Sequence, residues 1–407
     1  MPERNRTPKR KFDGYTATLP PLDDFDSLYY LRCHSEDNDP NDNETKVWRC
    51  AFEPRKDNSG NTNVLATCGG NIVCFIDCIS GRVLRRYKDD NVKESFYTLA
   101  WTTLETTDGK GCNILAVAGE GRAIKLIHPS QLVMYGKLHG HKKYVSCLLF
   151  HPSMPHCLFS GGQEGLIYMW HICKPDGSQH VSITNPVLKI DVPDTDAINL
   201  VFCLKTNTLL AACEEACLGW NLDAKDINSK NKKTKLIPEP SFKCVFPDAN
   251  PNLTVDGLAS LHDQFVATKQ VGTGRIHIWD LAEHASLKKK KIKVQPLATL
   301  EYAYTDVDYL NFGFAAGILA VGDDKGSIFL YNVENILKKK KSLDSLLVPS
   351  KILEWPVLEC DEETGIDMKK LSENKKIVVN AVAVSADKDY IAFGTDNNLV
   401  CILNRVT

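Results

Sequence analysis

One pattern recurs along this chain and leaves little freedom for its fold. Four short apolar segments, separated by turn residues, are followed by four more of the same kind. The pattern is plainest between Phe96 and His141, where FYTLAWTTLE and NILAVAG precede a turn at Gly119, Glu120 and Gly121. AIKLIHP and LVMYGKLHGH then complete the unit. Alternating or wholly apolar runs of this length, bounded by turn residues, are strands. One four-stranded sheet of this kind cannot bury both faces alone, so each unit needs neighbours like itself.

The rest of the chain supplies them. WRCAFEP, NVLATCGG, NIVCFIDC and RVLRRYK make the first unit, and residues 96–141 the second. VSCLLFHP, HCLFSGGQEG, LIYMWHI and a distant VLKIDV make the third. INLVFCL, TLLAACEE, ACLGWNL and SFKCVFP follow, then DGLASLH, QFVATKQ, RIHIWDL and QPLATLEY, then DYLNFGF, GILAVGDDKG, SIFLYNV and SKILEWP. The last unit, NAVAVSA, YIAFGTDNN and LVCILNRV, is one strand short, while residues 28–34 form a strand left over at the front. Pairing the two shuts the array and hides its edges. Third segments end in Trp170-His171, Trp220-Asn221, Trp279-Asp280 and Tyr331-Asn332. With Gly140-His141, these are degraded forms of the GH…WD signature. The expected fold is all-β: a seven-bladed WD-repeat β-propeller closed by an N-terminal strand. It would be one domain over residues 28–407 behind a disordered basic tail at residues 1–27. Only residues 333–347 suggest a helix.

Several function classes are excluded. A net charge of −2 exerts no global pull on nucleic acid. No apolar run approaches the roughly 20 residues that span a bilayer, and the polar, basic start is not a secretory signal. Fifteen cysteines, scattered through apolar strands, suggest reduced thiols in a nuclear or cytosolic setting. Lys9, Arg10 and Lys11 form a candidate nuclear address. There is no P-loop, nucleophile elbow or HExxH, so neither an enzyme nor a cofactor is expected. His139, His141, His151 and His156 match no zinc spacing. The pairs Cys74/Cys78 and Cys213/Cys217 are expected to be packing residues.

Two sets of residues stand out. Aligning the first strands on Phe52, Trp101, Phe150, Phe202 and Phe312 puts Trp48, Tyr97, Ser146, Ile198 and Asp308 four residues earlier, with Tyr309 beside Asp308. The corresponding positions of the fifth and seventh units are Asp256 and Asn380. In a propeller these positions meet at the channel mouth. Trp48, Tyr97, Asp308 and Tyr309 would then form a pocket for an alkylated ammonium, or else plug the channel. The second set is basic: Lys230, Lys232, Lys233 and Lys235; Lys288, Lys289, Lys290 and Lys291; Lys338, Lys339, Lys340 and Lys341. All follow third strands of consecutive units, so they share one face, where DNA or an acidic partner would bind unless the loops are merely solvated.

The passages LYYLRCHSEDNDP, VWRCAFEP, LATCGGNIVCFIDCISGRVLRRYK, FYTLAWTTLE, LAVAGEGRAIKLIHP and GDDKGSIFLYNVENILK resemble a known family. It is the WD-repeat half of the leucine-rich repeat and WD repeat-containing proteins that associate with the origin recognition complex. More distantly, the chain is similar to the embryonic ectoderm development propeller of Polycomb methyltransferases. The resemblance implies a nuclear, non-enzymatic chromatin scaffold that docks origin recognition complex subunits in heterochromatin during DNA replication and reads methylated histone tails. The Polycomb subunit's aromatic cage falls on Trp48, Tyr97, Asp308 and Tyr309, with Asp308 in place of a tryptophan. That carboxylate would favour lower methylation states, which keep an N–H to donate. Residues 1–27 are too short for leucine-rich repeats, so nothing resting on those repeats is expected here. The competing expectations are a Polycomb-like regulatory subunit and a substrate adaptor for a ubiquitin ligase.

Overall fold

The computed structural model describes residues 16–35, 39, 41–57, 59–105, 111–175, 180–214, 216–228, 233–247, 254–285, 289–339, 342–343, 345–356 and 377–406. Their strands hydrogen-bond into seven sheets. The first strands of these sheets are Val47–Pro54, Phe96–Glu105, Val145–His151, Ala197–Cys203, Val255–Ser260, Gly313–Ala315 and Val379–Val384. Each touches the next, and Val379–Val384 returns to Val47–Pro54, so the first strands line an axis and the chain is a closed β-propeller.

The core is divided in the same way. Buried apolar residues fall into seven clusters among the described residues, each at the junction of two neighbouring sheets. Cys50, Phe52 and Ile76 of the first sheet pack on Ala381, Ala392 and Ile402 of the last. Trp170, Trp220, Trp279 and Tyr331, which end the third strands, are fully buried between sheets. This explains why the WD-like signature repeats there. Trp170 Nε1 donates to Ser160 Oγ at 2.9 Å, and that oxygen lies 2.7 Å from His141 Nε2. A Cβ on Gly140 would come within 2.7 Å of the Trp170 ring, so the Gly-His pair fits only as it stands. His34 Nε2 lies 2.8 Å from Thr67 Oγ1 in a similar tie.

The strand Asp24–Leu31 pairs antiparallel with Val400–Val406. N- and C-terminal segments thus share one sheet, with Asp24–Leu31 as its largely exposed outer strand. The boundary set at residue 28 is corrected: Thr16–Thr18 is also a strand, in parallel register with Leu346–Val348. Phe25 is buried against the sixth and seventh sheets. Only residues 1–15 of the expected tail lie outside the described residues. Helix Glu334–Lys339 falls where a helix was expected. Short helices at Ala224–Ile227 and Leu281–Ala285 were not. Fourteen described cysteines are free, and Cys74, Cys78, Cys213 and Cys217 are all fully buried.

Candidate functional site at the axial opening

Six of the seven first strands carry a β-bulge at the same place. Val47 pairs with Gly69 and Arg49 with Cys68, leaving Trp48 as the extra residue. Tyr97, Ser146, Ile198, Asp256 and Asn380 are skipped in the same way. A bulge bends its strand and re-aims the unpaired side chain. Here it turns Trp48, Tyr97, Ser146 and Ile198 toward the axial opening.

The result is a cavity of about 230 Å³ lined by Trp48, Arg49, Tyr97, Tyr144, Ser146, Ile198, Tyr309 and Asn311. Small-molecule pockets usually enclose roughly 300–1,000 Å³, so this one is sized for a single side chain. Trp48 and Tyr97 meet edge to face at 5.7 Å between ring centroids, and Tyr97 and Tyr144 at 5.6 Å. Tyr309 adopts a left-handed backbone, φ 66°, which costs an aromatic residue of order 1–3 kcal/mol. Its neighbours hold it there. Asn311 Nδ2 donates to the Tyr309 carbonyl at 2.8 Å, and the Leu310 amide donates to Asp256 Oδ2 at 3.3 Å. Asp256 is itself locked to Lys269 by contacts of 2.6 and 2.5 Å, both side chains being fully buried. Burial raises the Asp256 pKa despite that ammonium. The fifth bulge residue therefore supports the pocket from behind and does not line it.

The rim is acidic. Burial raises the Tyr144 phenol, and the charges of Asp196, Glu214, Glu120 and Asp308 raise it further. Tyr309 is pushed up to about 12 by burial, with Tyr144, Asp308, Glu214 and Asp196 adding to the shift. Tyr97, also at about 12, is raised by burial and by its hydrogen bond to Glu120 Oε2 at 3.0 Å. Four carboxylates thus act on Tyr144, three of them on Tyr309, and Glu120 on Tyr97. Arg49, whose pKa burial lowers, is an opposing charge in the lining.

Of the four residues expected to form the pocket, Trp48, Tyr97 and Tyr309 line it and Asp308 does not. Asp308 is exposed, because the sixth sheet has no bulge and its first strand begins only at Gly313. Tyr144 was missed. It lies just before the strand Val145–His151, and its ring meets Tyr97 across the opening.

The lysines lie elsewhere. Lys230, Lys232, Lys288, Lys340 and Lys341 are outside the described residues. Lys233, Lys235, Lys289, Lys290, Lys291, Lys338 and Lys339 are exposed. Three are paired with acids: Lys235 with Asp226 at 2.6 Å, Lys290 with Glu239 at 3.6 Å and Lys338 with Glu334 at 2.6 Å. Two donor clusters also occur, Cys33/His34/Cys74 and His156/Cys157/His171. Both His34 ring nitrogens already have partners in Gly69 and Thr67. Cys157 is fully buried, and burial pushes its thiol up to about 12, which disfavours the ligating thiolate.

Fold and opening define a WD-repeat propeller with an aromatic, acid-rimmed axial pocket. The chain belongs to the family described as leucine-rich repeat and WD repeat-containing protein 1, WD domain, whose model matches residues 19–406. It is 31% identical to leucine-rich repeat and WD repeat-containing protein 1 of Xenopus tropicalis, over 94% of this chain and 55% of that protein. The Homo sapiens protein of that name is also 31% identical, over 93% and 58%. The chain thus spans a little over half the length of these relatives. Polycomb group protein FIE1 of Oryza sativa is 26% identical over 67% of this chain. Among solved structures, a chain of a humanized mutant of the Chaetomium thermophilum Polycomb Repressive Complex 2 superposes with a TM-score of 0.70 at 13% identity, covering 94% of this chain and 97% of that one. At that identity the likeness is one of fold.

Proposed function

We propose that this chain is a non-enzymatic chromatin scaffold whose axial pocket takes a methylated lysine from a histone tail. The observation that carries the reading is the grouping of Trp48, Tyr97, Tyr144 and Tyr309 around one cavity beneath a rim of carboxylates. Aromatic faces attract an alkylated ammonium by about 0.5–2 kcal/mol per contact, most where water is excluded. With Tyr144 as the fourth ring and Asp308 outside, the ground for preferring lower methylation disappears, and the pocket suits a trimethylated side chain. One of the similar Polycomb structures is a complex with a trimethylated histone H3 mark, which supports the reading by analogy of fold.

The ring is read as seven blades, one for each sheet, shut by the strand Asp24–Leu31. Nuclear localisation and association with the origin recognition complex in heterochromatin rest on family membership. The exposed lysines are assigned a secondary contact with DNA or an acidic partner, reduced by the three acid pairs. Mass spectrometry of the complex purified from nuclear extract tests the scaffold role. Origin recognition subunits are expected. A methyltransferase core recovered without them would favour the Polycomb-like alternative.

A further inference from the structure

Cys33 and Cys74 are far apart in the chain and close in the fold. Cys33 lies just beyond the closing strand Asp24–Leu31, and Cys74 sits on Ile72–Asp77 of the first sheet. Their sulfurs and a His34 ring nitrogen all lie within 4.8 Å of one another. The Cys74 thiol donates to the Cys33 carbonyl at 3.3 Å. Cys74 belongs to the core shared by the first and last sheets, and Cys33 packs against it.

This approach is held from both sides of the seam. His34 is tied to the first sheet through Gly69 and Thr67. Its amide donates to Asn398 Oδ1 at 3.2 Å, in the turn before Val400–Val406. Arg86, on Arg82–Lys88, donates to the Ser35 carbonyl. The His34 ring is committed to those partners, so the cluster reduces to a pair of thiols.

The two thiols differ. Cys33 is partly exposed and Cys74 is fully buried. The hydrogen bond from Cys74 holds Cys33 well below the ordinary thiol value, and His34 and Arg86 add to that shift against the effect of burial. The same bond, helped by burial, raises Cys74. A thiolate within reach of an oxidant thus lies beside a protonated thiol, the arrangement of an attacking and a resolving cysteine. Cys217 and Cys244 make a useful contrast. They face each other across a strand pair, but at 0% and 4% exposure neither can be reached.

We infer that Cys33 and Cys74 form a reversible disulfide when the protein meets a peroxide. The Cys33 sulfur attacks one peroxide oxygen, the O–O bond breaks and hydroxide leaves, so that Cys33 becomes a sulfenic acid. The Cys74 sulfur then attacks the Cys33 sulfur. The S–S bond forms, the S–O bond breaks, and the departing hydroxide takes the Cys74 proton as water. Two thiols and one hydrogen peroxide give one disulfide and two waters, with two electrons passing to the peroxide. The bond closes a loop that contains Trp48 and ties the closing strand to the first sheet. Such a link stabilises a fold by constraining the unfolded chain.

The test treats the reduced full chain with hydrogen peroxide, caps the remaining thiols with N-ethylmaleimide and maps the linked peptides by mass spectrometry. Urea midpoints are measured before and after. A Cys33–Cys74 peptide is expected ahead of any Cys217–Cys244 link, with a raised urea midpoint, and dithiothreitol should reverse both. Cys33→Ser should lose the linked peptide and the rise in midpoint together. Oxidation of Cys33 beyond the sulfenic acid with Cys74 still capped as a free thiol would overturn the inference. So would a Cys217–Cys244 link formed as fast, or the same rise in midpoint in Cys33→Ser.

Discussion

Trp48 and Tyr97 stand edge to face, with centroids 5.7 Å apart and planes at 83°, and each is the extra residue of a bulge in its own strand. Their meeting is a consequence of the ring. These two neighbouring first strands, bulged at the same height, turn their unpaired side chains toward the same opening.

Removing either ring should weaken binding of a trimethyl-lysine histone peptide by roughly 0.5–2 kcal/mol, up to about thirtyfold. Tyr144→Ala should do the same, while Tyr144→Phe, which keeps the ring, should bind nearly as wild type. Isothermal titration calorimetry on folded variants measures this. Tyr144→Ala with full affinity would remove that residue from the cage.

Arg49 lines the same cavity and carries the wrong charge for the proposed ligand. Arg49→Met keeps most of its volume and should tighten binding of the cationic peptide. A weaker complex with this variant would mean that the guanidinium contacts the peptide favourably, for example through a backbone carbonyl.

Lys269 and Asp256 form a fully buried pair behind the Tyr309 turn. Breaking such a pair strands a charge and costs about 3–5 kcal/mol, whereas replacing both partners by apolar residues is often neutral. Lys269→Met alone should lower the urea midpoint strongly, and Lys269→Met with Asp256→Leu should restore much of it. The double variant should still lose peptide affinity, because the Leu310 amide loses its acceptor and Tyr309 loses its support. Retained affinity would separate the pair from the pocket.

Stability should fall with acidity in two steps. Burial, helped by the charge of His156, pushes His151 down to about 4, against an ordinary value near 6.5. The unfolded chain takes the proton first, so stability is lost as pH falls from about 6.5 to about 4. Burial alone would raise Glu164, but hydrogen bonds from His141 and the Lys142 amide lower it overall. Its contribution is present above the ordinary value of about 4.3 and is lost below it. Urea midpoints across this range should lose the upper step in His151→Gln and the lower step in Glu164→Gln. An unchanged profile in either variant would show that the assigned group does not set that step.

The sheets were legible because their strands are long enough for alternation and turn residues to show. So was most of the pocket, since the bulge sits four residues before a large apolar side chain in the strands of Trp48 and Tyr97. Asp308 was misplaced because the sixth unit keeps that spacing without the bulge, and the chain instead turns at Tyr309. Tyr144 precedes its strand and fell outside the alignment. The strand KLI at Lys235–Ile237, which pairs with Leu188–Asp191, is three residues long and set among lysines. No periodicity can be read from so few positions, so it looked like a loop.

The indole N–H signal of Trp48 in an NMR titration tests the central claim most directly. It should shift and saturate with a trimethyl-lysine histone peptide and stay still with the same peptide unmodified. An identical response to both peptides, or none to either, would contradict a methyl-lysine pocket at the axis.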